Sequence, residues 1–448
     1  MGIHVKEDVW NVSEENQEIA STEETAGADL LFVSRFPALR SRNFRLFWMG
    51  QGISGIGSFM QVWVINWQLY AITHHALALG LIGLFRVIPI IIFSLIGGTV
   101  ADAWDRRKVM LVTQSTLAMV ALLLGGLTLS HHLTPTWIYA LTMVGAAAMA
   151  FDNPARQSLI PSLVDRKDLT NALSMMSVAF RTSTILGPVL AGFLIARGSM
   201  SDTYFFNAMS FLAVIGALIA LRLPAHSAAL GTAAASRSGV DLKSLKEGLV
   251  FVWNSPLIVS TIWLDFLATF FSSANALLPI FAKDILHIGA KGYGLLAAAE
   301  AVGALMAGLA LSFSRPILRQ GYVMLWAVAL YGLATVVFGA SRLFVVSWLA
   351  LAVVGVADSV STILRQTIRQ LITPDCLRGR MTSVNMIFFM GGPQLGELES
   401  GIVAQWLGGP ISVIIGGLGC LLTVAWVAVR SPLLRNYRLD THAAPPAP

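Results

Sequence analysis

Residues 77 to 99 read LALGLIGLFRVIPIIIFSLIGGT, and residues 100 to 108 read VADAWDRRK. The first stretch carries a single charge, Arg86, over 23 residues. A bilayer core about 30 Å thick is crossed by roughly 20 apolar residues rising 1.5 Å each, so the run spans a membrane as a helix and is too long for a barrel strand. Pro89 does not veto the helix, because neighbouring helices can satisfy the backbone groups it frees. The short basic stretch that follows reads as the first turn back.

The rest of the chain repeats this pattern. Of its 448 residues 56% are hydrophobic and 12% charged, whereas a soluble domain carries about twice that charge. A water-soluble enzyme is therefore a poor description. Twelve spans are expected, at 46 to 70, 77 to 99, 109 to 130, 136 to 156, 171 to 195, 203 to 221, 257 to 280, 293 to 313, 320 to 340, 343 to 363, 381 to 403 and 409 to 429. With the N terminus, the even-to-odd loops and the C terminus on one side, 24 Lys and Arg fall there. Only Arg197, Lys283, Lys291 and Arg342 fall opposite, which predicts that both termini are cytoplasmic.

The formal charge of +6 is unevenly spread. Residues 1 to 29 hold eight acidic residues and one basic residue, Lys6, leaving an excess of 13 positive charges elsewhere. Such an excess suits nucleic acid or an anionic membrane surface, and the spans decide for lipid and against nucleic acid. The expected organisation is a disordered cytoplasmic tail over 1–40, a six-helix bundle over 41–222, a connector over 223–256, a second six-helix bundle over 257–430 and a tail over 431–448. Within the connector Leu242, Leu245, Leu249 and Val252 mark one side of an amphipathic helix.

The halves echo one another. RQSLIP at 156 to 161 resembles RQLITP at 369 to 374, offset by 213 residues, and the first spans of the halves are offset by about 211. Equal offsets are the footprint of parallel repeats. Cys376 and Cys420 give neither a disulfide framework nor metal spacing, and the pairs His74 and His75, and His131 and His132, read as interfacial loop residues. A phosphate-binding loop with the Gly-x4-Gly-Lys-[Ser/Thr] pattern is absent, as is a Ser-His-Asp arrangement, so neither an enzyme nor a cofactor is expected.

Gly98, Asp102, Arg106 and Arg107 carry a Gly, an Asp four residues on and a following basic cluster. This loop resembles that of the major facilitator superfamily, departing from it at Ala103 and Asp105. FDNPARQ at 151 to 157 and PDCLRGR at 374 to 380 extend the similarity to the drug-antiporter branch that includes macrolide and siderophore exporters, over about residues 35 to 430. The resemblance implies an all-α membrane protein with the major facilitator fold, twelve helices in two pseudo-symmetric six-helix bundles. It also implies a bacterial inner-membrane protein, acting as a monomer, that exports an amphiphilic small molecule by alternating access in exchange for protons. A dedicated siderophore exporter, a solute importer and a non-transport scaffold stay open as alternatives.

Ionised groups inside a bilayer must pair, face a cavity or bind a proton. Asp265, Glu300, Glu397, Arg86 and Arg181 are on that ground the expected coupling residues. Asp102, Arg106 and Arg107 after Gly98 form an expected cytoplasmic gate, with Asp358 and Arg365 as its counterpart near the cytoplasmic end of span ten. Gly187, Pro188 and Gly192 are expected to pack a central seam, a role similar to that of the exporters' Gly-Pro element. Trp63, Trp67 and Phe270 are the candidate walls of a substrate cavity.

Overall fold

The computed structural model describes residues 36–198, 200–221, 249–374 and 377–439, without the side chains of 94–103 and 383. Among the described residues twelve helices of 16 to 32 residues overlap the expected spans. They are α1 (Arg42–Thr73), α2 (Ala76–Ala103), α3 (Arg106–Leu129), α4 (Pro135–Leu159), α5 (Leu169–Ala196) and α6 (Met200–Ala220) in the first half. The second half holds α7 (Pro256–Phe271), α8 (Gly289–Ser312), α9 (Gln320–Ala340), α10 (Phe344–Ile372), α11 (Arg378–Leu407) and α12 (Gly409–Arg430). Among the described residues nine segments are long and apolar enough to cross a membrane on composition alone, seven of them within these helices, while Arg166–Ala196 adds the turn before α5 and Pro256–Ile285 the turns after α7. The remaining three, α1, α4 and α11, carry polar side chains that the bundle encloses, such as Gln51, Asn66, Gln68 and Asp152.

Packing follows the sequence repeat. In the first half α1 packs on α5 and α6, α2 on α4, and α3 on α4 and α6. Adding six to each number gives the second half's contacts: α7 on α11 and α12, α8 on α10, and α9 on α10 and α12. The two most extensive contacts that join the halves, α2 with α11 and α5 with α8, also exchange under the same rule. A pseudo-twofold axis therefore relates the bundles.

The halves meet at one end. A single apolar cluster there contains Met60, Val64 and Leu69 from the first half together with Leu277, Phe281 and Tyr293 from the second. Towards the end that carries the helix termini Arg42 and Arg430, the cores are separate, one around Phe44, Phe47 and Leu159 and another around Leu264, Met324 and Ile368. The seam helices tell the same story along their length. Gly80 lies against Gly401, and Gly192 against Gly294. Eleven residues along a helix is three turns, about 16 Å, and returns to nearly the same face. At that remove Ile91 is 50% exposed, Leu305 is 39% exposed and Arg181 is exposed too. The molecule is thus sealed at the end opposite its termini and opens as a vestibule towards them.

Two spans depart from expectation. Span seven was expected to run to residue 280, yet α7 ends at Phe271 and the chain continues through short turns at Asn275–Leu277, Leu278–Ile280 and Phe281–Ile285, the last a π-helix. Pro279 supplies no donor there, and Ser273 and Asn275 turn their side chains to the Pro393 carbonyl on α11 and to Glu300 on α8. Span ten was expected to stop at 363, yet α10 runs to Ile372. Leu364, Ile368 and Leu371 continue its apolar spacing, and its two arginines find acceptors inside the protein. The connector's residues 222–248 lie outside the described ones; the chain is helical from Leu249, and Val252 is buried against Ile258 and Met381. His74 and His131 stand at helix ends with left-handed backbone, as interfacial turn residues do.

Candidate functional site

Thr261, Asp265 and Thr269 recur every four residues on α7, and Asp358, Ser361, Arg365 and Arg369 follow at steps of three, four and four on α10, so each set lies on one helical face. The two faces meet. Arg365 Nη2 lies 2.9 Å from Asp265 Oδ1 and 3.7 Å from Asp358 Oδ1, while Arg369 Nη2 lies 3.8 Å from Asp265 Oδ2. Arg365 also donates to Ser361 Oγ at 2.9 Å and to Thr362 Oγ1 at 2.7 Å. Arg369 donates to Thr261 Oγ1 and the Thr261 carbonyl, both at 2.9 Å, and to Asn385 Oδ1 on α11. Asp265, Arg365 and Arg369 are 4%, 2% and 3% exposed, but the Asp358 side chain is 40% exposed. Two acids and two bases make the cluster neutral, with one of its carboxylates open to a proton donor.

That open carboxylate faces a cavity of about 150 Å³, lined among others by Asp265, Glu300, Asp358, Tyr331, Thr335 and Phe389. That volume is short of the roughly 300 Å³ or more of the pockets that enclose drug-sized ligands. Glu300 on α8 accepts a 2.9 Å bond from Asn275 Nδ2, in the turn where α7 breaks. A titratable group thereby touches the segment that packs against α1 and α2 at the sealed end.

Across the seam Arg86 Nη1 lies 4.0 Å from Glu397 Oε2, joining α2 to α11. Tyr293 Oη donates to the Trp63 carbonyl at 2.9 Å, Leu77 N–H donates to Gln405 Oε1 at 3.3 Å, and Tyr70 Oη donates to the Asp284 carboxylate. Gly187 fits against Phe59 and the Ile56 carbonyl on α1, whereas Gly192 fits against α8, so the expected central-seam residues sit in close packing on both sides of α5.

Several expected roles change place. Arg365 was expected at a cytoplasmic loop, as was Arg369, but both are buried inside α10, and Asp358 sits at the middle of that helix because α10 is longer than expected. Trp63 and Trp67 pack around Tyr293, with centroids at 5.8 and 5.1 Å, in the sealed seam and not on the cavity wall. Phe270 stacks on Phe266 and meets Phe271 edge-on, and it is not among the residues that line the 150 Å³ chamber. Arg106 donates to the Ser158 carbonyl at 3.2 Å and Arg107 to the Ile219 carbonyl at 2.9 Å, so each caps the C-terminal end of a first-half helix, α4 or α6. Gly98 and Asp102 fall in the last turns of α2, where side chains lie outside the described ones.

Thr261, Asn275, Asp152 and Arg369 were missed as site residues. The fully buried Asp152 accepts from Thr113 Oγ1 at 2.8 Å and Gln114 Nε2 at 2.9 Å. Arg156, the repeat mate of Arg369, donates to Gln51 on α1 at 3.2 Å, as Arg369 does to Thr261 on α7. The 213-residue offset carried that signal, and the three- and four-residue steps on α7 and α10 would have completed it.

The comparisons with known proteins agree with this architecture. The enterobactin exporter EntS of Citrobacter koseri is 26% identical over 412 residues, covering 90% of this chain and 94% of that one. An Escherichia coli enterobactin exporter is 27% identical over 406 residues, covering 88% and 93%. Among solved structures the nucleoside transporter NupG superposes with a TM-score of 0.71 at 12% identity, over 87% of this chain and all of that one. A bacterial homologue of the iron transporter ferroportin in an inward-facing state gives 0.63 at 16% identity, over 88% and 98%. The model of the transmembrane secretion effector family matches residues 33–446. With that match spanning nearly the whole chain, and the paired six-helix bundles beneath it, the protein belongs to the transmembrane secretion effectors of the major facilitator superfamily.

Proposed function

We propose that this multi-pass inner-membrane transporter exports an amphiphilic small molecule in exchange for protons, with both termini in the cytoplasm. The observation that carries the reading is the Asp265, Arg365 and Asp358 network beside a carboxylate-lined chamber. Protonating Asp358 removes one of the two anions competing for Arg365, leaving the guanidinium to Asp265 on α7. Protonating Glu300 weakens a charge-assisted bond to the turn that continues α7 into the sealed end. Both events act on the element that changes packing when the vestibule switches sides.

In proteoliposomes an imposed proton gradient should alter flux of amphiphilic dyes. Asp358→Asn and Glu300→Gln should retain downhill exchange while losing the response to the gradient. Equal wild-type flux with and without the gradient across a broad dye panel would remove the coupling.

A dedicated siderophore exporter is the second reading, favoured by relatives that are themselves enterobactin exporters. Metabolite profiling of a deletion strain separates the two. A chelator retained inside and restored to the medium by complementation favours the siderophore, whereas unchanged chelators with retained hydrophobic dyes favour broad efflux.

The loop gate belongs to the same proposal. Asp102→Asn keeps size and removes the anion, so switching should suffer more than surface abundance. Normal flux with unchanged accessibility of vestibule cysteines would sink the gate, while lost abundance alone would assign Asp102 to folding.

A further inference from the structure

The vestibule is electrically lopsided. Arg181 is the thirteenth of the 28 residues of α5, about 18 Å along the helix from Leu169 and so near its middle. It shares a face with Pro188 and Gly192, which meet α8 of the other half higher up. Where the halves have parted, Arg181 is exposed, and it makes no ion pair with any described residue. The other embedded arginine of the first half is engaged elsewhere: Arg86 is held by Glu397 in the seam, 18% exposed.

The exposed residues flanking Arg181 on α5 include the apolar Val178 and Phe180 beside the polar Ser177 and Thr182. Phe180 is 56% exposed and meets Phe59 edge-to-face at 5.6 Å, Val178 is 61% exposed, and on the second half Leu305 and Phe389 are 39% and 42% exposed. An unpaired guanidinium beside aromatic and aliphatic side chains presents a planar, multiply donating cation that matches carboxylate-like anions, with room beside it for an apolar body.

We propose that Arg181 is the specificity-determining residue of the vestibule, selecting amphiphiles that carry a localised anion beside an aromatic body. The cation stands on the first-half wall. The acidic chamber stands on the second, so an anion entering the vestibule is drawn to Arg181 and turned away from Asp358. The coupling cluster and the recognition cation thereby occupy opposite halves, which move relative to each other during exchange. This inference rests on the transport reading above, but it concerns binding, which can be measured without flux.

Carboxyfluorescein and tetramethylrhodamine ethyl ester share a xanthene core and differ in charge. Their binding to the full chain in phosphatidylcholine nanodiscs is read by fluorescence anisotropy, with empty nanodiscs as the blank. Wild type should prefer the anionic dye. Arg181→Gln should weaken that dye roughly 10- to 100-fold, the span of one hydrogen bond to a charged group, and leave the cationic dye unchanged. Arg181→Lys should recover part of the loss, and Arg181→Glu should reverse the preference. Unchanged cationic-dye binding certifies that each variant is folded. No anionic preference in wild type, or the same preference in Arg181→Gln, overturns the proposal. Intact charge selection with no flux of either dye in proteoliposomes would instead overturn the export reading and leave Arg181 as the anion site.

Discussion

Arg365→Met should cost the protein about 3–5 kcal/mol and abolish gradient-driven flux, because it strips one guanidinium from two carboxylates at once. The loss is larger than that of a surface pair, worth about 0–1 kcal/mol, since Asp265 is 4% exposed and cannot turn to water. Arg369 is a poor substitute at 3.8 Å, with its other nitrogens already committed to Thr261 and Asn385. Removing the orphaned acid as well, in the double variant Asp265→Asn with Arg365→Met, should restore most of the melting temperature but none of the coupling. Thermal denaturation of the purified chain in nanodiscs, measured beside proteoliposome flux, checks both. A single Arg365→Met variant within about 1 kcal/mol of wild type would show that the cluster is not an ion-pair network.

That cluster marks the limit of what could be read from the letters. The twelve spans were legible because lipid leaves the backbone no partner but its own helix, so roughly 20 apolar residues identify a crossing whatever the neighbours are. The repeat was legible through its constant offset, and the six-plus-six packing follows it pair by pair. Arg365 and Arg369 were misread because positive charge after an apolar run ordinarily marks the cytoplasmic interface. What overrides that rule is Asp265, a hundred residues earlier, and a sequence does not say which distant anion a cation will meet. Trp63 and Trp67 were hard to place for a different reason: an aromatic residue on an inner helix face suits a cavity wall or a seam alike, and their contact with Tyr293, some 230 residues on, is not written in the letters.

The glycine seam joins the halves at the end opposite the termini, and under the exchange reading it sets the balance between the two vestibule orientations. A Cβ on Gly192 would lie 2.6 Å from the Ala290 carbonyl oxygen and 2.9 Å from Gly294 Cα, and one on Gly401 would lie 2.6 Å from Gly80 Cα. These neighbours are backbone, so no rotamer change relieves the clash. Each of Gly192→Val and Gly401→Val should therefore penalise the conformation sealed opposite the termini by about 1–3 kcal/mol, the cost of overpacking. That converts to roughly 5- to 150-fold in the balance between the two vestibule orientations. Folding within each half should survive, since both contacts lie between halves. Gly126, with no atom within 4 Å of a built Cβ, is the control, and Gly126→Ala should leave the balance unmoved. Labelling of a cysteine placed at Ile91, inside the vestibule, reports the shift: the seam variants should lose accessibility from the termini side and gain it from the opposite side, with flux falling in step. Unchanged labelling in both seam variants would mean that the close approach of Gly80 to Gly401 and of Gly192 to Gly294 does not set the vestibule's direction. Loss in one variant alone would assign the seal to that seam, α5 with α8 or α2 with α11, and break the functional equivalence that the pseudo-twofold packing implies.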